Sequence, residues 1–112
     1  MTVPLHQVKA ELFRTLGHPT RIRVLELLQD GPRPVHELLT ELSIEASNLS
    51  QQLALLRRAG IVSSERVGSA VVYTLSTPDV ADLMVVARRI LTSLLTDQEG
   101  ILAELRNTAD AS

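Results

Sequence analysis

The stretch EASNLSQQLALLRRAGIV, from Glu45 to Val62, decides the fold. Leu49, Leu53 and Leu56 recur at i, i+4 and i+7, which places them on one stripe of an α-helix. The opposite face carries serine, asparagine and glutamine, whose side chains can donate and accept hydrogen bonds, as the edges of base pairs do. We interpret this stretch as a DNA recognition helix. The alternative is a polar exposed helix without a special role.

The sequence after this helix changes from a helical period to a period of two. Gly60 ends the helix, and residues 61–75 alternate as two strands do. Gly68 lies near the centre of this segment and permits the positive φ that a tight hairpin needs. The pattern predicts a two-stranded wing with Arg66, Gly68 and Ser69 near its tip.

Two further helices are predicted before the recognition helix. The second helix is predicted from Thr20 to Gln29. Pro19 before it suits a first helical position, and His18 is the predicted cap or anchor of this turn. A third helix begins at Pro34 and is separated from the recognition helix by a very short joint, which predicts a helix-turn-helix. The first helix has an apolar stripe formed by Leu5, Val8, Leu12 and Leu16.

The last long helix carries more apolar surface than one small domain can cover. It begins at Thr77-Pro78-Asp79, runs at least to Leu95 and resumes through Leu105. Because the first helix has a similar surplus, we predict a dimer face formed by both terminal helices. The alternative is a core helix in a monomer. The predicted face comprises Leu5, Val8, Leu12, Leu83, Ala87, Ile90, Leu91 and Leu94.

The chain totals predict a small domain that does not enter a membrane. The 112 residues suit a single domain over residues 1–106, followed by a frayed tail at 107–112. The longest apolar runs are too short to span a membrane and the N-terminus does not resemble a signal peptide, so we expect a cytoplasmic protein. Cysteine is absent, which excludes disulfides, thiolate metal ligands and a cysteine nucleophile.

The distribution of charge favours double-stranded DNA as a partner. The whole chain has a net charge of −2, whereas residues 46–74 contain three arginines and one glutamate, a net charge of +2. Phe13 and Tyr73 are the only aromatic residues, so the stacking surfaces of single-strand and RNA-loop binders are missing. No nucleophile–base pair, phosphate-binding glycine loop or pair of carboxylates stands out, and we therefore predict that the protein is not an enzyme.

Three strings in this order, LFRTLGHPTRIRVLELL, SNLSQQLALLRRAGIV and VVYTLSTPDV, resemble the ArsR/SmtB family of bacterial winged-helix transcriptional repressors. The resemblance covers roughly residues 8–95. It implies a mainly α fold with a small β-hairpin, arranged as a winged helix-turn-helix. It also implies a homodimer that binds an inverted-repeat operator, and many members release DNA when a metal ion or another inducer binds.

The metal sites of the family are not matched in this chain. Pro34-Val35-His36 stands where the arsenic and cadmium sensors carry Cys-x-Cys. At the positions that bind zinc in other members, an ungapped alignment gives Thr77, Asp79, Ile90 and Ser93, of which only Asp79 is a usual ligand. Imidazole and carboxylate together suit nickel or zinc. The remaining metal candidates are therefore the histidines His6, His18 and His36.

The predicted DNA contacts fall into three groups. Ser47, Asn48, Gln51 and Gln52 would reach base edges, Ser50, Arg57 and Arg58 would bind phosphates, and Arg66 and Ser69 on the wing would follow the DNA backbone or minor groove. Three alternatives stay open at this point: a nickel- or zinc-responsive regulator with a non-standard His and carboxylate site, a separate sensor protein that detects the signal, and a winged-helix module that binds protein instead of DNA.

Overall fold

The structure is a computed structural model that describes residues 2–96 and 99–111. Most of the described residues are helical, and the remainder includes one small sheet. The elements in chain order are α1 Leu5–Leu16, α2 Pro19–Leu27, β1 Arg33–Pro34, α3 Val35–Leu42, α4 Ala46–Arg58, β2 Val62–Val67, β3 Ala70–Leu75, α5 Pro78–Leu94 and α6 Glu99–Ala111.

The sheet has three antiparallel strands in the order β1-β3-β2, where two strands were predicted. β2 and β3 form the predicted wing, and the additional strand β1 pairs Arg33 with Tyr73 and Pro34 with Val72. Pro34 was predicted to open α3, but its ψ of 152° is extended, and α3 begins one residue later. A proline has no N–H to donate, and an edge strand such as β1 tolerates it.

The start of α2 confirms the predicted role of His18. Pro19 is the first helical residue, and Nδ1 of His18 accepts a hydrogen bond of 3.2 Å from the backbone N–H of Thr20. An acceptor at this position satisfies one of the N–H groups that a helix start leaves without an internal partner. The end of the helix differs from the prediction, because α2 stops at Leu27 and a single 3₁₀ turn, Leu28–Asp30, completes the segment.

The helix-turn-helix consists of α3, a three-residue turn and α4. Ser43 ends α3 in the left-handed conformation, with a φ of 53°, and its N–H donates to the carbonyl of Leu39 at 2.9 Å. A left-handed residue after a helix reverses the chain direction and satisfies one of the last carbonyls. The sharp change in direction brings α4 against α2 within a short stretch of sequence.

The core is formed by aliphatic side chains from the end of α1 to the start of β2. The predicted leucine stripe of α4 is confirmed, because Leu49, Leu53 and Leu56 are all buried. Burial of this stripe fixes the rotation of α4 about its own axis and therefore decides which face meets solvent. The buried apolar residues are Leu16, Val24, Leu25, Leu28, Leu38, Leu49, Leu53, Leu56, Ile61 and Val62.

The chain divides into two compact units, of which one ends at Ala81 and the other begins at Asp82. In the second unit, α5 ends at Leu94, one residue before the predicted minimum, and exposes Ile90, Leu91 and Leu94. α6 extends to Ala111, so the described part of the predicted tail is helical. Among the described residues, no helix is both long enough and apolar enough to cross a membrane.

We predict that two neighbouring leucines of α4 contribute very differently to stability. Leu56 is 0% exposed and Leu55 is 40% exposed. Leu56→Ala should lower the free energy of unfolding by about 2–5 kcal/mol, because it removes buried methyl groups and leaves a cavity. Leu55→Ala should lower it by about 1 kcal/mol or less.

The measurement is urea denaturation of both variants at one fixed protein concentration, since self-association makes apparent stability depend on concentration. If both variants lost the same free energy of unfolding, α4 would not be rotated with Leu56 toward the core and Leu55 toward solvent.

Candidate nucleic-acid interface

The exposed face of α4 lies opposite its leucine stripe and is short, polar and nearly free of acidic side chains. Ser47, Ser50 and Gln51 are exposed and follow one another at helical spacing, with Ala54 and Arg58 further along the same face. Small and amide side chains keep such a helix narrow enough to enter the major groove of DNA. The structure therefore brings Ser47, Ser50 and Gln51 together as the sequence predicted.

Gln52 is different from the other predicted base contacts, because it is buried with 8% exposure. Its Oε1 accepts a hydrogen bond of 2.9 Å from the guanidinium of Arg21 in α2, and its Nε2 donates to Oδ1 of Asn48 at 3.1 Å. The side chain thus belongs to the contact between α2 and α4, and the prediction that it reaches a base edge is corrected. The signal was in the sequence, since position 52 lies between Leu49 and Leu56 on the buried stripe.

The end of α4 is attached to the wing. A guanidinium N–H of Arg57 donates to Oγ of Ser64 in β2 at 3.1 Å, and the N–H of Ile61 donates to the carbonyl of Leu56 at 3.0 Å. Arg57 remains exposed, as does Arg58. A guanidinium has five N–H donors, so a bond to one hydroxyl leaves donors of Arg57 for an anion.

The wing presents the second set of predicted contacts. Val67 and Ala70 are paired across a two-residue loop, and Gly68 in that loop has a φ of 64°. Arg66 and Ser69 are exposed beside this loop. Glu65 is also exposed, but consecutive strand residues point to opposite faces of the sheet, so its carboxylate and the Arg66 guanidinium leave the sheet in different directions.

The histidines are dispersed in the structure. His6 in α1 and His36 in α3 are exposed, whereas His18 uses Nδ1 to cap α2. Within residues 2–96 and 99–111, no group of three or more His, Cys, Asp or Glu side chains could hold a metal ion. A metal ligated by Nδ1 of His18 would first have to displace the hydrogen bond from Thr20.

Comparison with known families gives a match over the helix-turn-helix. Residues 18–64 match the family described as "Bacterial regulatory protein, arsR family". This range extends from the cap of α2 to the first half of β2, and it therefore includes the whole helix-turn-helix.

A close relative covers nearly the whole chain. The uncharacterised HTH-type transcriptional regulator Rv0081 of Mycobacterium tuberculosis (strain ATCC 25618 / H37Rv) is 49% identical over 110 residues, which is 97% of this chain and 96% of the relative. The crystal structure of M. tuberculosis Rv0081 matches with a TM-score of 0.79 at 51% identity, over 87% of this chain and 98% of that chain.

Two more distant proteins have more specific descriptions. The HTH-type transcriptional repressor SmtB of M. tuberculosis (strain ATCC 25618 / H37Rv) is 38% identical over 74 residues, 66% of this chain and 55% of the relative. The solution NMR structure of the homodimeric winged helix-turn-helix DNA-binding domain Mb0332 from Mycobacterium bovis matches with a TM-score of 0.72 at 28% identity, over 82% of this chain and 85% of that chain.

We predict that the loop of the wing depends on glycine for conformational reasons alone. A Cβ at Gly68 would meet no atom within 4 Å, yet the φ of 64° is unfavourable for a residue with a side chain. Gly68→Ala should therefore lower the free energy of unfolding by about 1–2 kcal/mol, whereas Gly68→Asn should lower it less, because asparagine tolerates this region.

Urea denaturation of the two variants and the unmodified protein tests this prediction. A smaller loss for alanine than for asparagine would mean that the loop does not keep its left-handed residue.

Proposed function

The chain belongs to the ArsR family of bacterial transcriptional regulators, and on this premise we propose that it acts as a homodimeric repressor that binds an inverted-repeat operator in double-stranded DNA. The observation that carries this proposal is the exposed face of α4, which is polar from Ser47 to Gln51 and lies in the same unit as the arginine-bearing wing. The family consists of regulators and not of enzymes.

The first turns of α4 would enter the major groove. In this arrangement Ser47, Asn48 and Gln51 meet base edges, which supply sequence recognition. Ser50, Arg57 and Arg58 meet phosphates, which position the helix without reading sequence. The exposure of Ser47, Ser50, Gln51 and both arginines supports this division, and the burial of Gln52 removes it from the set.

The wing would contact the DNA backbone or the neighbouring minor groove beside the half-site. Arg66 supplies the charge and Ser69 a hydroxyl at the loop. A guanidinium in this position contributes an electrostatic attraction that depends little on sequence and strongly on salt. The chain has a net charge of −2, and the residues outside 46–74 are negative in total and would repel DNA. Binding would therefore depend on the arginines of α4 and the wing.

Self-association is supported by the apolar side chains that the two terminal regions expose. Leu5, Val8 and Leu12 in α1 are exposed, and so are Ile90, Leu91 and Leu94 in α5. Isolated exposed leucines are common, but surpluses in both regions favour a partner surface. The homodimeric description of the M. bovis domain agrees with this. Two-fold symmetry would place the half-sites about 10 bp apart, or at a multiple of one helical turn.

Regulation would act through the relative position of the two subunits. An effector that stabilises a different angle or separation of the two α4 helices would weaken the binding of one groove, and a coupling of about 1–3 kcal/mol would be sufficient. A chain without cysteine has no thiol chemistry for this purpose. The effector would be nickel or zinc, another small molecule, or a separate sensor protein.

We predict that Gln51 reads one base position. Gln51→Ala should cost about 1–3 kcal/mol of binding free energy on the operator, and the loss should be restricted to the base pair that the amide contacts. The measurement is fluorescence anisotropy with the promoter DNA of the protein and a set of single-base variants. If the base preferences of Gln51→Ala equal those of the unmodified protein at every position, Gln51 does not read the groove.

We predict that Arg66 contributes without regard to sequence. Arg66→Ala should weaken binding to all the DNA variants alike and should reduce the slope of log K against log salt by about 1. Arg106→Ala is the matched control, because it removes the same charge from α6 outside the α4 and wing unit.

The same titration, run with chelator and then with nickel or zinc, tests the regulatory proposal. An affinity that changes with metal supports a metal effector, and an affinity that ignores metal favours another inducer or a sensor protein. Absence of DNA binding under all conditions would support the protein-interaction alternative.

A further inference from the structure

A chain of three side-chain hydrogen bonds leads from the end of α1 to the recognition helix. Nε of Arg21 donates to the carbonyl of Thr15 at 2.6 Å, and another guanidinium nitrogen of Arg21 donates to Oε1 of Gln52 at 2.9 Å. Nε2 of Gln52 then donates to Oδ1 of Asn48 at 3.1 Å. Asn48 is half-buried, and Gln52 is almost completely buried, so the chain runs from the protein interior to the surface of α4.

The direction of every bond in this chain is set by Arg21. A guanidinium can only donate, so the amide atom of Gln52 that faces it must be the oxygen. The nitrogen of the same amide then faces Asn48, and the atom of Asn48 that receives it must again be an oxygen. The side-chain amides of Gln52 and Asn48 could each adopt two orientations. The guanidinium of Arg21, in the neighbouring helix α2, therefore fixes both of them in one orientation.

The consequence concerns the free end of the Asn48 amide. Its Oδ1 is turned toward Gln52, and within the described residues its Nδ2 has no acceptor. The two atoms lie on opposite sides of one planar group, so the nitrogen is the atom left to meet a partner. The α4 surface therefore presents a hydrogen-bond donor at this position, although asparagine in general can offer either a donor or an acceptor.

We propose that Arg21 and Gln52 are positioning residues that orient the Asn48 amide, so that the recognition helix binds a hydrogen-bond acceptor on DNA at this point. This inference rests on the proposed DNA-binding function. The acceptor is N7 or O6 of guanine, O4 of thymine, N7 of adenine or a phosphate oxygen. The two-bond contact that asparagine makes with adenine would require Oδ1 to accept a second hydrogen bond beside the one from Gln52.

The most informative variant is Gln52→Glu, which keeps an oxygen acceptor for Arg21 and replaces the Nε2 donor with a second oxygen. Two oxygens then face each other between positions 52 and 48, and the Asn48 amide should rotate by 180° to donate Nδ2 inward. Its Oδ1 would point outward, and the helix would present an acceptor where it formerly presented a donor.

The control is Gln52→Met, which has a similar length without the hydrogen-bonding atoms and leaves the Asn48 amide free to adopt both orientations. A side chain that merely fills space would make the two variants alike. A positioning residue makes them different, because one variant reverses the Asn48 amide and the other only releases it.

The first measurement needs no DNA. Hydrogen exchange of the side-chain amide protons, followed by NMR on ¹⁵N-labelled full-length protein, should show slow exchange for the Gln52 NH₂ and fast exchange for the Asn48 NH₂. In Gln52→Glu the Asn48 NH₂ should become slow, and in Gln52→Met it should stay fast. Slow exchange of the Asn48 NH₂ in the unmodified protein would overturn the proposed orientation.

The second measurement is the affinity of each variant for the single-base operator set, compared as ratios within a variant so that a uniform effect of the added charge cancels. At one position Gln52→Glu should reverse the preference from an acceptor to a donor-bearing base by roughly fivefold, about one hydrogen bond, and Gln52→Met should only remove it. Asn48→Asp, which also presents an outward oxygen, should resemble Gln52→Glu.

These outcomes identify the acceptor on DNA, and they test this inference independently of the proposed function. A reversal at one base position identifies a base edge, whereas a reversed exchange pattern without any change in relative base preference identifies a phosphate. Identical behaviour of Gln52→Glu and Gln52→Met in both measurements would overturn the positioning role. If the unmodified protein binds no DNA, the proposed function fails, and the exchange experiment still decides the orientation of Asn48.

Discussion

The burial of one leucine stripe on α4 is the constraint on which the rest of the structure depends. Each fully buried leucine contributes about 1.5–3 kcal/mol relative to an exposed one, so Leu49, Leu53 and Leu56 together outweigh the weaker preferences of the polar side chains around them. A rotation of α4 by a quarter turn would expose this stripe and bury serines without partners. The surface that α4 offers is therefore determined from the inside of the protein.

The same stripe contains one polar residue, Gln52, through which the protein interior can orient a side chain on the surface of α4. Gln52 occupies a position at which a leucine would pack, and its amide is satisfied on both sides by Arg21 and Asn48. A buried amide is tolerated when both its donor and its acceptor are paired. An apolar side chain at position 52 would stabilise the core as well, but it would not orient the half-buried Asn48 one turn earlier.

Much of this architecture could be predicted from the sequence, because strong local signals repeat along the chain. Each of these signals specifies a structure within a few residues: the helical spacing of the leucines, the glycine of the wing loop, and His18 followed directly by Pro19. β1 could not be predicted in this way, since two residues that include a proline become a strand only when β3 pairs with them. The burial of Gln52 could have been predicted from its position between Leu49 and Leu56, but its hydrogen bond to Arg21 could not, because Arg21 lies 31 residues away in the sequence. The dimer surface stays a prediction, because only a second chain defines it.

The attachment of α4 to the wing has a consequence for the operator itself. Arg57 joins the end of α4 to Ser64 of β2, and a backbone hydrogen bond closes the connection between Leu56 and Ile61. In the proposed complex, these bonds would hold α4 and the hairpin at one offset, so that each chain would span a fixed length of DNA. Changes in length within a half-site would therefore separate the groove from the flanking backbone contact. The distance between the proposed half-sites would instead depend on how the two chains pair, because no bond inside one chain determines it.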